Sequence, residues 1–151
     1  MPEVWFYHLE GRPLEAVLPT LLERTLARGW RAVVQAGSPE RVAALDSLLW
    51  TYADDSFLPH GTAADGDPAT QPVFLTEGAG NPNGAAVRFC LDGVAAEPLL
   101  ADGYERLIVL FDGRDDAMLA GARAQWAALK RAGHALSYWQ QNEDGRWEKR
   151  A

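Results

Sequence analysis

The chain is 151 residues long, 48% hydrophobic and carries a net charge of −7. That length fits one domain whose core needs neither metal nor disulfide, and that composition excludes a disordered chain. The acidic balance argues against a general nucleic-acid binder, whose phosphate contacts need a basic surface.

Val4-Trp5-Phe6-Tyr7-His8-Leu9 is an aromatic, β-branched run that predicts a first strand, closed by Glu10-Gly11-Arg12-Pro13. Leu14, Val17, Leu18, Leu21, Leu22, Thr25 and Leu26 then recur at helical spacing up to Gly29. Pro19 interrupts that pattern, so the regular helix is expected to begin there, with proline in its first turn. Trp30 to Ala36 predicts a second strand. Ser38 is placed to cap a helix starting at Pro39, with Val42, Leu45, Leu48 and Leu49 as its buried stripe.

Residues 53–70 are rich in Asp, Gly, Pro and Ala and predict a long loop, the kind of segment that often carries function. Pro72 to Thr76 and Ala86 to Leu91 predict strands that could add antiparallel members, joined through a turn over Gly78 to Gly84. Glu105 to Phe111 is the most apolar strand and is expected at the centre, with Leu107 and Val109 buried. A helix follows Asp112-Gly113, runs to about Arg131 and stops at Gly133. His134 to Gln141 and Arg146 to Lys149 predict a closing hairpin around a two-residue Asp144-Gly145 turn.

Strand and helix alternate at both ends of the chain. This order predicts a single α/β domain over residues 1–151: a three-layer α/β/α sandwich with a mainly parallel, Rossmann-like sheet. No apolar run approaches the ~18 residues that span a bilayer. Met1 to Tyr7 lacks the basic stretch of a secretory signal. Cys90 is the single cysteine, so no internal disulfide forms and a reducing compartment, the cytoplasm, is expected.

The charge is unevenly placed. From Ala117 onward six Lys/Arg face three acids, a local +3, whereas residues 1–116 hold eight Lys/Arg and eighteen Asp/Glu, or −10. Such a basic end suits an anionic peptide while the acidic body repels bulk nucleic acid; ordinary solvated charges account for it equally well.

Catalytic and cofactor signatures are missing from the sequence. The first strand–helix turn has one glycine and an acid where a phosphate would sit, and neither GxGxxG nor GxxxxGK[ST] occurs. His8, His60, His134 and Cys90 are too widely spaced for a metal pattern. No cofactor and no metal are expected. A hydrolytic or nucleotide-handling enzyme using Ser56, His60 and Asp54 or Asp55 in the 53–70 loop is the alternative, although catalytic groups are usually gathered from separate elements. The plainer role for His60 is to organise its loop by hydrogen bonding. Cys90 lies in an apolar strand and behaves as a small hydrophobe.

Several segments resemble the chi subunit of bacterial DNA polymerase III. They are the opening Val4-Trp5-Phe6-Tyr7-His8-Leu9, Leu45-Asp46-Ser47-Leu48-Leu49-Trp50 running into Ser56-Phe57-Leu58-Pro59-His60, the Gln71-Pro72-Val73 strand entry, and Ala122-Arg123-Ala124-Gln125-Trp126 followed by Gly133-His134. The Leu-Trp…Ser-Phe-x-Pro-His combination is the most specific. The resemblance implies a non-catalytic accessory subunit. Such a subunit grips the acidic C-terminal tail of single-stranded DNA-binding protein (SSB), links it to the clamp loader, and in many bacteria pairs with a psi subunit. The acidic body and absent phosphate-binding turn imply no direct nucleic-acid binding, and the lack of a long apolar run implies no membrane span. The resemblance places Arg123 and Lys130 on the basic side of the tail site and Trp50, Phe57 and Trp126 around its apolar side. Arginine suits a terminal carboxylate, which its planar fork can hold in bidentate fashion. Arg123, Trp126 and Lys130 stand three and four residues apart and share a helix face. Trp126 is also in step with Met118, Ala122 and Leu129 and could equally be core, the default for Trp50 and Phe57 as well. Family members can carry a further Lys where this chain has Ala127, implying weaker, less salt-sensitive tail binding unless Arg131 compensates.

Overall fold

A computed structural model of the chain describes residues 2–53 and 58–151. Among the described residues there are seven strands: β1 (Glu3–Leu9), β2 (Ala32–Gln35), β3 (Val73–Thr76), β4 (Val87–Cys90), β5 (Arg106–Asp112), β6 (Leu136–Gln141) and β7 (Trp147–Lys149). They form one sheet in the order β3-β2-β4-β5-β1-β6-β7. All neighbours run parallel except β6 and β7. Both β3 and β4 pair with β2 in parallel, so the 72–91 segment contributes no antiparallel pair. The fold class is α/β, as expected. In strand order, β1 lies between β5 and β6 rather than beside β2, its neighbour in the dinucleotide-binding arrangement.

The direction of chain travel decides which face each helix covers. Both α1 (Leu14–Ala27) and α2 (Pro39–Thr51) follow steps toward the β3 edge, whereas α3 (Asp116–Arg131) follows a step toward β7. Right-handed crossovers in opposite directions put their helices on opposite faces. The core divides accordingly. Tyr7, Leu9, Ile108 and Leu110 pack with Leu18 and Leu22 of α1 and Leu45 and Leu49 of α2. Val4, Phe6, Leu107 and Val109 pack with Ala122 and Leu129 of α3. Strand β5 is the middle member, and Leu107 to Phe111 are all buried, which explains its unbroken apolar run.

Local signals place most boundaries. Ser38 Oγ accepts the Arg41 N–H at 3.2 Å, with Pro39 in the first helical position. The Asp115 carboxylate caps α3, accepting from the Ala117 and Met118 amides at 3.0 and 3.2 Å, and Gly133 at φ +86° stops the chain beyond it. Two expectations are corrected. Helix α1 begins at Leu14, so Pro19 lies inside it; Pro19 is buried, as are Leu18 and Leu22, and packing outweighs the missing N–H. The closing hairpin turns through residues 142–146 rather than two residues: Asn142 N–H donates to Arg146 O at 2.8 Å, and Gly145 takes the left-handed conformation at φ +78°.

Candidate functional site

In a doubly wound sheet, ligands enter where chain direction reverses, at the carboxyl ends of the strands. Here the neighbouring pairs β1/β5 and β2/β4 both send their onward connections in opposite directions, and the first of these points is filled. The Gly113 amide donates to Leu9 O at 2.7 Å. The His8 ring lies so close that a Cβ on residue 113 would stand 1.8 Å from His8 Nε2. Backbone and imidazole take up the space where a nucleotide phosphate would sit.

That imidazole points instead to the α3 face. His8 Nδ1 lies 2.6 Å from the Tyr138 hydroxyl, and His8 Nε2 approaches Glu10 Oε1 at 2.8 Å. Tyr138, on β6, meets Trp126 of α3 edge to face at 5.6 Å, and Trp126 meets Phe6 similarly at 5.3 Å. Trp126 is therefore half-buried: its inner edge belongs to the core and its outer edge is accessible. Arg123, one turn earlier and exposed, joins Trp126 and Tyr138 around a cavity of about 290 Å³ completed by Ala151. Burial raises the Tyr138 phenol above its ordinary pKa, and the Arg123 charge partly offsets this. No carboxylate among the described residues pairs with Arg123. The pocket thus offers an available guanidinium beside two aromatic rings. That pairing suits an oxyanion with an apolar group next to it.

The remaining sequence-derived candidates are distributed differently. Lys130 is exposed on the same side of α3 but does not line the cavity. Trp50 is 56% exposed at the end of α2, its ring 4.7 Å from that of His60. Helix α2 packs on the edge strand β3 on one face of the sheet, whereas α3 packs on β5 and β6 on the other. Trp50 and Trp126 therefore lie on opposite faces of the sheet, and the fold does not bring Trp50 to the Arg123 cavity. Phe57 lies outside the described residues, as do Asp54, Asp55 and Ser56. His60 is buried and held at both nitrogens, by Leu58 O at 2.7 Å and by Asp46, whose carboxylate lies 3.1 Å away. It ties the loop to α2, which occupies the ring needed by the alternative enzyme. No group of three metal-ligating side chains occurs among the described residues. Tyr138 was missed in the sequence; its position on a closing strand carries no local signal that it will meet α3.

Fold and site together define an α/β protein with an occupied switch point and a cation-bearing aromatic pocket on a sheet-covering helix. Residues 1–137 match the family model described as DNA polymerase III chi subunit, HolC. Over 117 residues the chain is 30% identical to the probable DNA polymerase III subunit chi of Rickettsia prowazekii (strain Madrid E), covering 74% of this chain and 71% of that relative. The chain belongs to the DNA polymerase III chi subunit family, whose members are accessory subunits in DNA replication.

Proposed function

We propose that this chain is a non-catalytic replication subunit of the cytoplasm that binds the acidic C-terminal tail of SSB and connects it to the clamp loader, with a psi subunit where one exists. The supporting observation is the Arg123–Trp126–Tyr138 cavity. A chain-terminal carboxylate would meet the Arg123 fork, and the apolar side chain of the terminal residue would lie against Trp126 and Tyr138. Lys130, further along the same helix face, would meet the acidic residues before the terminus. Trp50, exposed at the end of α2 on the opposite face, offers an apolar surface for a different protein contact. Among the described residues no helix is long and apolar enough to cross a membrane.

Calorimetry with an acidic tail peptide ending in an aromatic residue, free or amidated at its C-terminus, tests the reading. The free peptide should bind more tightly. Equal affinity for both would place the terminal carboxylate elsewhere and refute the assignment.

A further inference from the structure

A larger cavity, about 410 Å³, opens on the α1 face at the amino ends of the parallel strands, remote from Arg123. Three guanidinium groups border it: Arg24 from the last turn of α1, Arg28 from the residue that caps its C-terminus, and Arg106 from the start of β5. Arg106 Cζ lies 3.7 Å over the Trp5 ring and 5.4 Å from that of Trp30, and Arg28 Cζ lies 4.2 Å over Trp30. Stacking in this way fixes the planes of the guanidinium groups and leaves their N–H edges to donate.

Glu3 and Glu105 offset part of the Arg106 charge from a distance, but no ion pair among the described residues balances the three guanidinium groups, and the buried Nε of Arg106 has no hydrogen-bond partner. The dipole of α1 favours cations at its C-terminal end and accounts for Arg24 and Arg28. It does not account for Arg106, which comes from the sheet and adds a third like charge where repulsion is costly. Arrangements of this kind are stabilised when an anion arrives.

The rest of the lining narrows the anion's identity. Val87, Phe89, Ile108 and Leu21 form an apolar wall. The side chains offer no carboxylate or amide acceptor; Tyr7 and Thr25 supply the hydroxyls, and the Thr25 hydroxyl already donates to Leu21 O at 2.9 Å. A nucleobase edge carries donors that would go unmet, and the guanidinium groups already cover faces of Trp5 and Trp30 on which a base would stack. Carboxylates flanking an apolar side chain need only what this cavity supplies.

We propose that this cavity is a second binding site, for an acidic internal peptide segment of a partner protein that carries an apolar side chain between its carboxylates. The site needs no terminal carboxylate and works independently of Arg123. The test is titration of the whole chain with a capped Asp-Asp-Phe-Asp-Asp peptide, acetylated and amidated, followed by calorimetry and by the indole N–H resonances in NMR. The Trp5 and Trp30 resonances should shift while that of Trp126 does not. Arg24→Gln/Arg28→Gln should weaken binding by at least about tenfold, roughly the loss of one charge-assisted contact, and Arg123→Ala should leave it unchanged. Thermal melting of the double variant checks that it folds, and the wild-type NMR shifts stand without it. The proposal fails if the peptide shows no binding at millimolar concentration, if the shifts map to Trp126, or if the double variant binds as the wild type does. It also fails if oligothymidylate or ATP, run in parallel, moves the Trp5 and Trp30 resonances while the peptide does not.

Discussion

Arg123→Ala separates recognition from folding more cleanly than any other change at the α3 pocket. Arg123 is exposed, has no ion-pair partner among the described residues, and sits mid-helix, where alanine is at least as good a helix former. Its removal should change stability by no more than about 0.5 kcal/mol. The same guanidinium, meeting a peptide carboxylate beside the half-buried rings of Trp126 and Tyr138, should contribute about 1.5–3 kcal/mol to binding. That corresponds to a loss of roughly ten- to 150-fold in affinity. Salt gives an independent check, because screening acts on the charge pair. Raising ionic strength should weaken the wild type more than the variant, so their affinities converge. Calorimetry with the free tail peptide at low and high salt, beside thermal melting of both proteins, measures all of this. Unchanged affinity in the variant, or an affinity loss accompanied by unfolding, would refute the placement of the carboxylate.

Trp126→Ala should lower both stability and tail affinity, the former by about 2–3 kcal/mol. This is less than a fully buried tryptophan would lose, and Trp126→Phe should recover most of it in urea denaturation. Arg88→Met should destabilise by about 3–5 kcal/mol in the same assay. Arg88 is fully buried, and its two terminal nitrogens donate to Gly78 O, Gly80 O, Gln35 Oε1 and the Tyr104 hydroxyl, so the variant strands several acceptors at once. Gly113→Ala should displace the His8 ring, costing about 1–3 kcal/mol of stability. It should also weaken tail binding, because the Tyr138 hydroxyl loses its 2.6 Å partner. Cys90 is buried, which pushes its thiol pKa up to about 12. Alkylation at mildly alkaline pH should therefore be slow until denaturant is added, as mass spectrometry would show.

Elements with strong local chemistry were legible in the sequence: the Ser38-Pro39 cap, the Gly133 stop and the unbroken apolar run of β5 all stand where their residues point. Relations between elements were less so. Nothing around Pro19 announces that its burial outweighs a missing helical hydrogen bond. Nothing around Tyr138 or Arg106 says which distant ring each will meet, because those partners, Trp126 and Trp5, come from other parts of the chain. The separation of Trp50 from Trp126 has the same origin. Both are large aromatics near the ends or middles of helices, and their spacing contains no information on which face each helix covers. That depends on whether the preceding strand is left toward β3 or toward β7, and a right-handed crossover then fixes the side. Strand β2 hands the chain toward β3 and carries α2 to one face; β5 hands it past β1 to β6 and carries α3 to the other. Trp50 and Trp126 thus stand on opposite faces of the sheet because each helix is carried there by a different crossover, whatever their spacing along the chain.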